Sequence, residues 1–332
     1  LPPMSPKSDP TQRAGDASYP EVDLDRIRQA HQRIAGQVHR TPVLTCSTLN
    51  RLAGHELFFK CENFQKAGAF KFRGASNAVL SLADEQAAKG VVTHSSGNHA
   101  QALALAARLR GIGARMVMPD TAPPAKIAAV RNYGGEVTFC RPTLQAREEG
   151  ARQIIAEHGS TLIHPYNDER IIAGQGTAAL ELLEEVGQLD AVLTPVGGGG
   201  LLSGTAIACK ESQPTIKVLG GEPANADDAY RSFHSGTIQP ALPPNTIADG
   251  LLTSLGDKTF AIIRRYVDDI LLVSEDEIVA AMKLVWERMK LIIEPSAAVP
   301  VAAVLQGLPG PKNQRVGLIL SGGNVDFTHL PF

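Results

Sequence analysis

The run Ala191-Val192-Leu193-Thr194-Pro195-Val196-Gly197-Gly198-Gly199-Gly200-Leu201-Leu202 decides the fold. A nearly continuous apolar segment, Ala191–Val196, is what a parallel strand covered on both faces requires. Four glycines follow, and then Leu201–Lys210, a plausible helix. Strand, glycine turn and helix form the unit of an open α/β sheet, whose ligands sit beyond the carboxyl ends of the strands. Consecutive glycines let backbone N–H groups converge on an anion without Cβ obstruction, and the helix N-terminus adds a favourable dipole. A mobile turn also fits four glycines, but the flanks favour a phosphate cradle. The run matches neither the P-loop pattern nor GxGxxG with a downstream acid. A nucleoside triphosphate or dinucleotide at this turn is therefore disfavoured.

The same alternation extends outward. Strand candidates are Leu57–Lys60, Arg115–Met118, Val137–Cys140, Thr161–His164, Val192–Pro195, Val218–Gly220, Ile270–Val273 and Val316–Leu320, separated by amphipathic stretches. The first helix is expected from about Asp23 to Val38, with Leu24, Ile27, Ala30, Ile34 and Val38 on one stripe, ended by Thr41-Pro42. There is no internal repeat, low-complexity block or long linker.

The 332 residues suffice for two packed domains. A net charge of -2 with scattered Lys and Arg argues against a nucleic-acid polymer or a membrane surface as partner. No apolar run is long enough to span a bilayer. Cys46, Cys61, Cys140 and Cys209 form no CxxC pair and suggest neither a zinc site nor a disulfide framework. Free thiols in a reducing compartment are the simplest reading, so a cytoplasmic location is expected. Residues 1–20 are rich in Pro, Ser and Asp and are expected to be a disordered tail, with Met4 a candidate start.

Three further segments carry candidate chemistry. In Gly68-Ala69-Phe70-Lys71-Phe72-Arg73-Gly74-Ala75, Lys71 sits in an apolar setting. Desolvation there would lower its pKa, and only a neutral amine attacks a carbonyl. On residue type alone, a surface lysine beside Arg73 fits better. In Ser95-Ser96-Gly97-Asn98-His99, Ser96 or Asn98 could cap the helix through Ala100–Arg110. Ser96 with His99 does not define a hydrolase triad, and the GxSxG elbow is absent. The last segment is Ser321-Gly322-Gly323-Asn324.

In combination, order and spacing of these four segments resemble the serine racemase and serine/threonine dehydratase family of pyridoxal-phosphate enzymes. The likeness runs from about Leu24 to Thr328 and includes Phe58-Phe59-Lys60-Cys61-Glu62, Ala173-Gly174-Gln175-Gly176-Thr177 and Glu294-Pro295. It implies the two-domain α/β open-sheet fold of the tryptophan synthase beta-like enzymes. Residues 21–91 and 167–332 would form the large cofactor-binding domain, and 92–166 a small mobile one whose closure excludes water. It further implies that Lys71 forms the cofactor Schiff base and that the amides of Gly197, Gly198, Gly199 and Gly200, with Leu201 in addition, hold the phosphate. Asn98 would contact the pyridine 3-hydroxyl and Ser321 the pyridine nitrogen. A hydroxyl there makes the ring a weaker electron sink than an aspartate would. Ala69 departs from the serine that many relatives carry before Phe-Lys, which removes a hydroxyl near the cofactor.

Inversion at Cα requires proton donors on both faces. The resemblance assigns Lys71 to one face and Ser96 to the other, so serine racemisation with dehydration to pyruvate and ammonia is the expected activity. Gly221-Glu222-Pro223-Ala224-Asn225-Ala226-Asp227-Asp228 resembles the divalent-cation site of eukaryotic-type serine racemases. Ligands would be the Glu222 and Asp228 carboxylates and the Ala226 carbonyl, an oxygen set suited to Mg²⁺ or Ca²⁺. An acidic turn capping a helix is the simpler reading of that segment taken alone. The resemblance also implies a homodimer and ATP as a regulator near Ser47, Lys66, Arg288 and Asn324. Ala67 replaces a polar residue of the mammalian form there. After Ser321–Asp326 no room remains for the C-terminal regulatory domain of biosynthetic threonine dehydratases. The rivals are a catabolic L-serine/L-threonine or 3-hydroxyaspartate dehydratase and a non-catalytic metabolite-binding protein.

Overall fold

The computed structural model describes residues 22–95, 97–122, 124–242 and 245–332. Ser96 and the tail expected over residues 1–20 lie outside the described residues. The chain runs α1 (Leu24–Ile34), β1 (Val43–Leu44), α2 (Ser47–Ala53), β2 (Glu56–Cys61), α3 (Lys71–Leu80), α4 (Asp84–Ala88) and β3 (Val91–His94). Next come α5 (Asn98–Arg110), β4 (Ala114–Pro119), α6 (Pro124–Asn132), β5 (Glu136–Cys140), α7 (Leu144–His158), β6 (Thr161–Leu162) and α8 (Glu169–Val186). Then follow β7 (Ala191–Pro195), α9 (Gly200–Ser212), β8 (Lys217–Pro223), α10 (Asp228–Ser235) and α11 (Asp257–Tyr266). The last elements are β9 (Asp269–Val273), α12 (Glu275–Leu284), α13 (Pro295–Gln306) and β10 (Arg315–Leu320).

Two sheets organise these elements. The larger has the order β1-β2-β10-β7-β8-β9, and only its β1–β2 pair is antiparallel. The smaller is wholly parallel, with the order β5-β4-β3-β6. The last strand, β10, lies between β2 and β7, with Leu320 opposite Cys61 and Leu318 opposite Leu193. That insertion carries Ser321 to the segment before Lys71: the Phe70 amide donates to the Ser321 carbonyl at 2.9 Å. Core side chains cover both faces of the larger sheet. Ile27, Leu182, Leu202 and Ile262 belong to one cluster, and Leu49, Met282, Val301 and Leu318 to the other. Each such buried aliphatic side chain contributes about 1.5–3 kcal/mol.

Close helix contacts set the layer spacing. A Cβ added at Gly174 of α8 would lie 2.6 Å from the Gly74 Cα of α3. One added at Gly204 of α9 would lie 2.6 Å from the Gly176 nitrogen of α8. Helix α8 is thus wedged between the helix that begins with Lys71 and the helix that begins at the tetraglycine.

Three details differ from the sequence expectations. Helix α1, capped by the Asp23 carboxylate on the Arg26 amide at 2.8 Å, stops at Ile34 rather than reaching Val38. Gly36 falls just past its end, where backbone entropy disfavours continuing the helix. Strand β6 stops at Leu162 rather than His164 because His164 Nδ1 accepts the Asn167 amide at 2.9 Å and turns the chain toward α8. The short strands β1 and β3 were not among the candidates.

Candidate active site

The carboxyl ends of β2, β7 and β10, with the turn after β3 and the segment after β6, supply the candidate site. Lys71 is the first residue of α3 and is partly buried. Its ammonium donates to the Pro165 carbonyl at 2.9 Å and lies 5.2 Å from the Phe70 ring centroid. Burial lowers its pKa to about 8, against the opposing pull of Glu294. The desolvated amine expected from the sequence is therefore present, and the surface-lysine reading is not.

The tetraglycine packs as a cradle with no space for side chains. A Cβ at Gly198 would fall 2.3 Å from the Tyr166 ring, and one at Gly200 3.1 Å from Tyr166 Cα. Gly199 adopts φ 86, a left-handed conformation that favours glycine. Helix α9 begins at Gly200, so its first amides have no partners within the helix and point toward the turn. Such a terminus suits a phosphate dianion. Gly197 to Leu201 therefore fit the phosphate end of pyridoxal phosphate.

Ser321 is buried, and a backbone bridge from Ala69 to the adjacent Gly322 holds it beside Phe70 and Lys71. Asn98 opens α5, whose N-cap is Gly97 without a side-chain cap, so Asn98 does not serve as the cap. Its side-chain amide instead donates to both oxygens of Glu294 at 2.9 and 3.1 Å. Its carbonyl oxygen accepts from Asn324 at 2.9 Å. Lys71, Asn98, the tetraglycine and Ser321 thus lie on adjoining segments, as a single cofactor site requires.

The structure also adds residues that sequence reasoning missed. Glu294 is 4% exposed, and burial, reinforced by Asp249, pushes its carboxyl up to about 7. In the sequence the Glu294-Pro295 pair carried only the family resemblance, with no role of its own. His94, His164 and Tyr166 form an edge-on chain with centroid spacings of 5.3 and 4.6 Å. Burial, then the neighbouring His94, lowers His164 to about 4, while burial and then Lys71 hold His99 well below the usual histidine range. His99 Nε2 lies 3.2 Å from the Ile163 carbonyl, a contact unrelated to any hydrolase. The charge of Arg147, on α7, acts on both His94 and Tyr166. Its Nε is buried with no hydrogen-bond partner among the described residues.

At the far end of β8, the Glu222 carboxyl accepts the Ala229 and Tyr230 amides at 2.8 and 2.7 Å. Burial raises it to about 9 despite those bonds. Asp228 is raised to about 6, again by burial, and its Oδ2 is buried without a hydrogen-bond partner among the described residues. Ala226 precedes it in a single turn of 3-10 helix. No cluster of three His, Cys, Asp or Glu side chains suited to a metal occurs among the described residues. Two carboxylates and a carbonyl are a different donor set, and the orphaned Asp228 oxygen fits a hard cation. Of the proposed nucleotide residues, Lys66 and Asn324 lie near each other, since Asn324 donates to the Ala67 carbonyl at 2.8 Å. Ser47 opens α2, and Arg288 lies in a π-helical turn.

The pyridoxal-phosphate dependent enzyme family matches residues 34–322. This chain belongs to that family. It is 56% identical to a serine racemase of Dictyostelium discoideum over 93% of its length and 97% of that protein's. It is 52% identical to a beta-hydroxyaspartate dehydratase of Paracoccus denitrificans, over 91% of its length and 96% of that protein's. The crystal structure of a Dictyostelium discoideum serine racemase superposes with a TM-score of 0.88 at 55% identity, covering 92% of this chain and 99% of that one. The tryptophan synthase beta-like α/β fold and the pyridoxal phosphate cofactor expected from the sequence both stand. No helix among the described residues is long and apolar enough to cross a membrane.

Proposed function

We propose that the chain interconverts L- and D-serine and also eliminates water from serine, giving pyruvate and ammonia. The observation that carries this is the desolvated Lys71 amine, held against Pro165 beside the Tyr166-lined glycine cradle. When bound, pyridoxal phosphate supplies electron withdrawal that acidifies the substrate Cα–H. Gly197 to Leu201 would hold its phosphate, Ser321 would face its ring nitrogen, and Asn98 would lie beside its hydroxyl. Lys71, neutral for a large share of the time near pH 8, takes and returns the Cα proton on one face. Ser96, directly before Gly97 and α5, is proposed to move the proton on the other face. His164 and His99 stay neutral there and add no positive charge beside Lys71. Chiral analysis of product from each serine enantiomer tests the reading.

One observation favours a second reading, dehydration of 3-hydroxyaspartate. The Arg147 guanidinium, whose buried Nε has no partner among the described residues, would suit a second substrate carboxylate. Activity on 3-hydroxyaspartate that Arg147→Ala removes, with serine turnover retained, would establish it.

The division into a large domain over residues 21–91 and 167–332 and a small one over 92–166 is supported by the two separate sheets. Closure of the smaller part over the cleft would exclude water. Glu222, Ala226 and Asp228 are proposed to bind Mg²⁺ or Ca²⁺, supported by the orphaned Asp228 oxygen. A homodimer with ATP near Ser47, Lys66, Arg288 and Asn324 rests on the sequence resemblance. The cytoplasmic location rests on four free thiols.

A further inference from the structure

Arg73 lies two residues beyond Lys71 and is completely buried. Its Nε and Nη2 donate to the two Glu62 oxygens at 2.7 and 2.8 Å. Its Nη1 and Nη2 donate to the two Glu181 oxygens at 2.7 and 2.8 Å. The remaining Nη1 hydrogen goes to the Thr177 hydroxyl at 3.2 Å, and the His39 carbonyl shares Nη2 as a longer contact at 3.3 Å. Lys60 completes the group, donating to Glu181 at 2.7 Å and to the Thr41 carbonyl at 2.6 Å. The Thr41 hydroxyl donates to Glu62 at 2.5 Å. The four charged side chains are 0–1% exposed, and two cations balance two anions.

A buried ion cluster is a poor source of net stability, because desolvation offsets most of the attraction. What two opposed forks do supply is geometry. They fix the plane of one guanidinium and hence the rotation of the helix that carries it. Residues two apart on a helix point about 200° apart. With Arg73 clamped inward between Glu62, just past β2, and Glu181 of α8, Lys71 is directed to the opposite side, where it meets Pro165. A second contact acts on the same turn: the Gly74 amide donates to the Gln175 side chain at 3.1 Å, where α3 touches α8. Helix α8 in turn abuts α9, the helix that leads out of the cradle, through Gly176 and Gly204.

We propose that Arg73 is a positioning residue. Its double fork to Glu62 and Glu181 sets the rotation of α3, and so the placement of the Lys71 amine relative to the glycine cradle. The proposal rests on Lys71 being the cofactor-bearing residue, which mapping of a borohydride-reduced adduct tests separately.

The experiment compares Arg73→Lys, Glu181→Gln and a control, Val304→Ala, as purified holoenzymes. Val304 is a buried core residue of α13, so its truncation lowers stability without touching the cluster. Lysine keeps the charge of Arg73 but loses the fork. Arg73→Lys should lower kcat by about 100-fold, the cost of roughly 1 Å of misplacement, with KM little changed. The pH midpoint of the cofactor's visible absorbance should also shift from wild type. Glu181→Gln should shift both in the same direction by less, whereas Val304→Ala should lower the melting temperature alone. If Arg73→Lys does not fold, Glu181→Gln decides by the same two readouts. Wild-type kcat and an unshifted absorbance midpoint, in variants that only melt earlier, would overturn the proposal.

Discussion

The Lys71 ammonium donates to the Pro165 carbonyl at 2.9 Å, joining the first turn of α3 to the segment that follows β6. One residue further on, the Tyr166 ring lies against Gly198. A single short stretch therefore touches both the proposed proton-transferring amine and the proposed phosphate cradle.

Reduction with borohydride should fix the cofactor covalently to Lys71, as read by peptide mass mapping. Attachment at any other lysine would refute the assignment. Because burial lowers Lys71 to about 8, the neutral amine becomes more abundant as pH rises through that value. Turnover should therefore climb between about pH 7 and 9. A rate that falls over that interval would contradict the role of Lys71 as base.

Gly198→Ala places a methyl 2.3 Å from the Tyr166 ring. Overpacking of this kind costs about 1–3 kcal/mol of folding stability, so the melting temperature should fall. Adding Tyr166→Ala should restore part of that loss by making space. A double variant no better than Gly198→Ala would show that the clash is not with Tyr166.

Acid should destabilise the fold through its buried histidines. An unfolded histidine takes up a proton near pH 6.5, whereas His164 in the folded chain resists protonation until about pH 4, chiefly because of burial. The unfolded state thus binds more protons across that window, and stability drops as pH falls from 6.5 toward 4. Each such group contributes a slope of up to about 1.4 kcal/mol per pH unit. Denaturant titrations at several pH values should give a shallower dependence for His164→Gln. An unchanged dependence would show that His164 is not held neutral.

Chelation should lower the melting temperature, and Mg²⁺ or Ca²⁺ should restore it. Asp228→Asn retains shape but removes the charge that its buried oxygen would offer to a cation. That variant should lose the response to chelator and metal. A full wild-type response would move the cation elsewhere.

The fold was legible where a local pattern carries the physics. The apolar run before Gly197, the glycines themselves and the helix after them are adjacent in sequence, so backbone geometry alone identified the cradle. Lys71 was legible through its motif, although burial settled what residue type could not. Glu294 was not, because its role arises from a contact with Asn98 across 196 residues. Arg147 acts on His94 and Tyr166 only through the folded arrangement of segments distant in sequence. Strand β1, with two residues, is too short to show a periodicity, and β3 was missed although candidates of its length were found elsewhere.

Racemisation, as proposed, requires proton exchange on both faces of the substrate Cα. The most direct measurement supplies L-serine and D-serine separately to wild type and Ser96→Ala and quantifies both serine enantiomers and pyruvate. Wild type should form the opposite enantiomer and pyruvate from each substrate. Ser96→Ala should lose interconversion while keeping elimination from the enantiomer whose Cα proton faces Lys71. Pyruvate as the sole product of wild type would contradict the racemase reading, and undiminished interconversion by Ser96→Ala would place the second proton donor elsewhere.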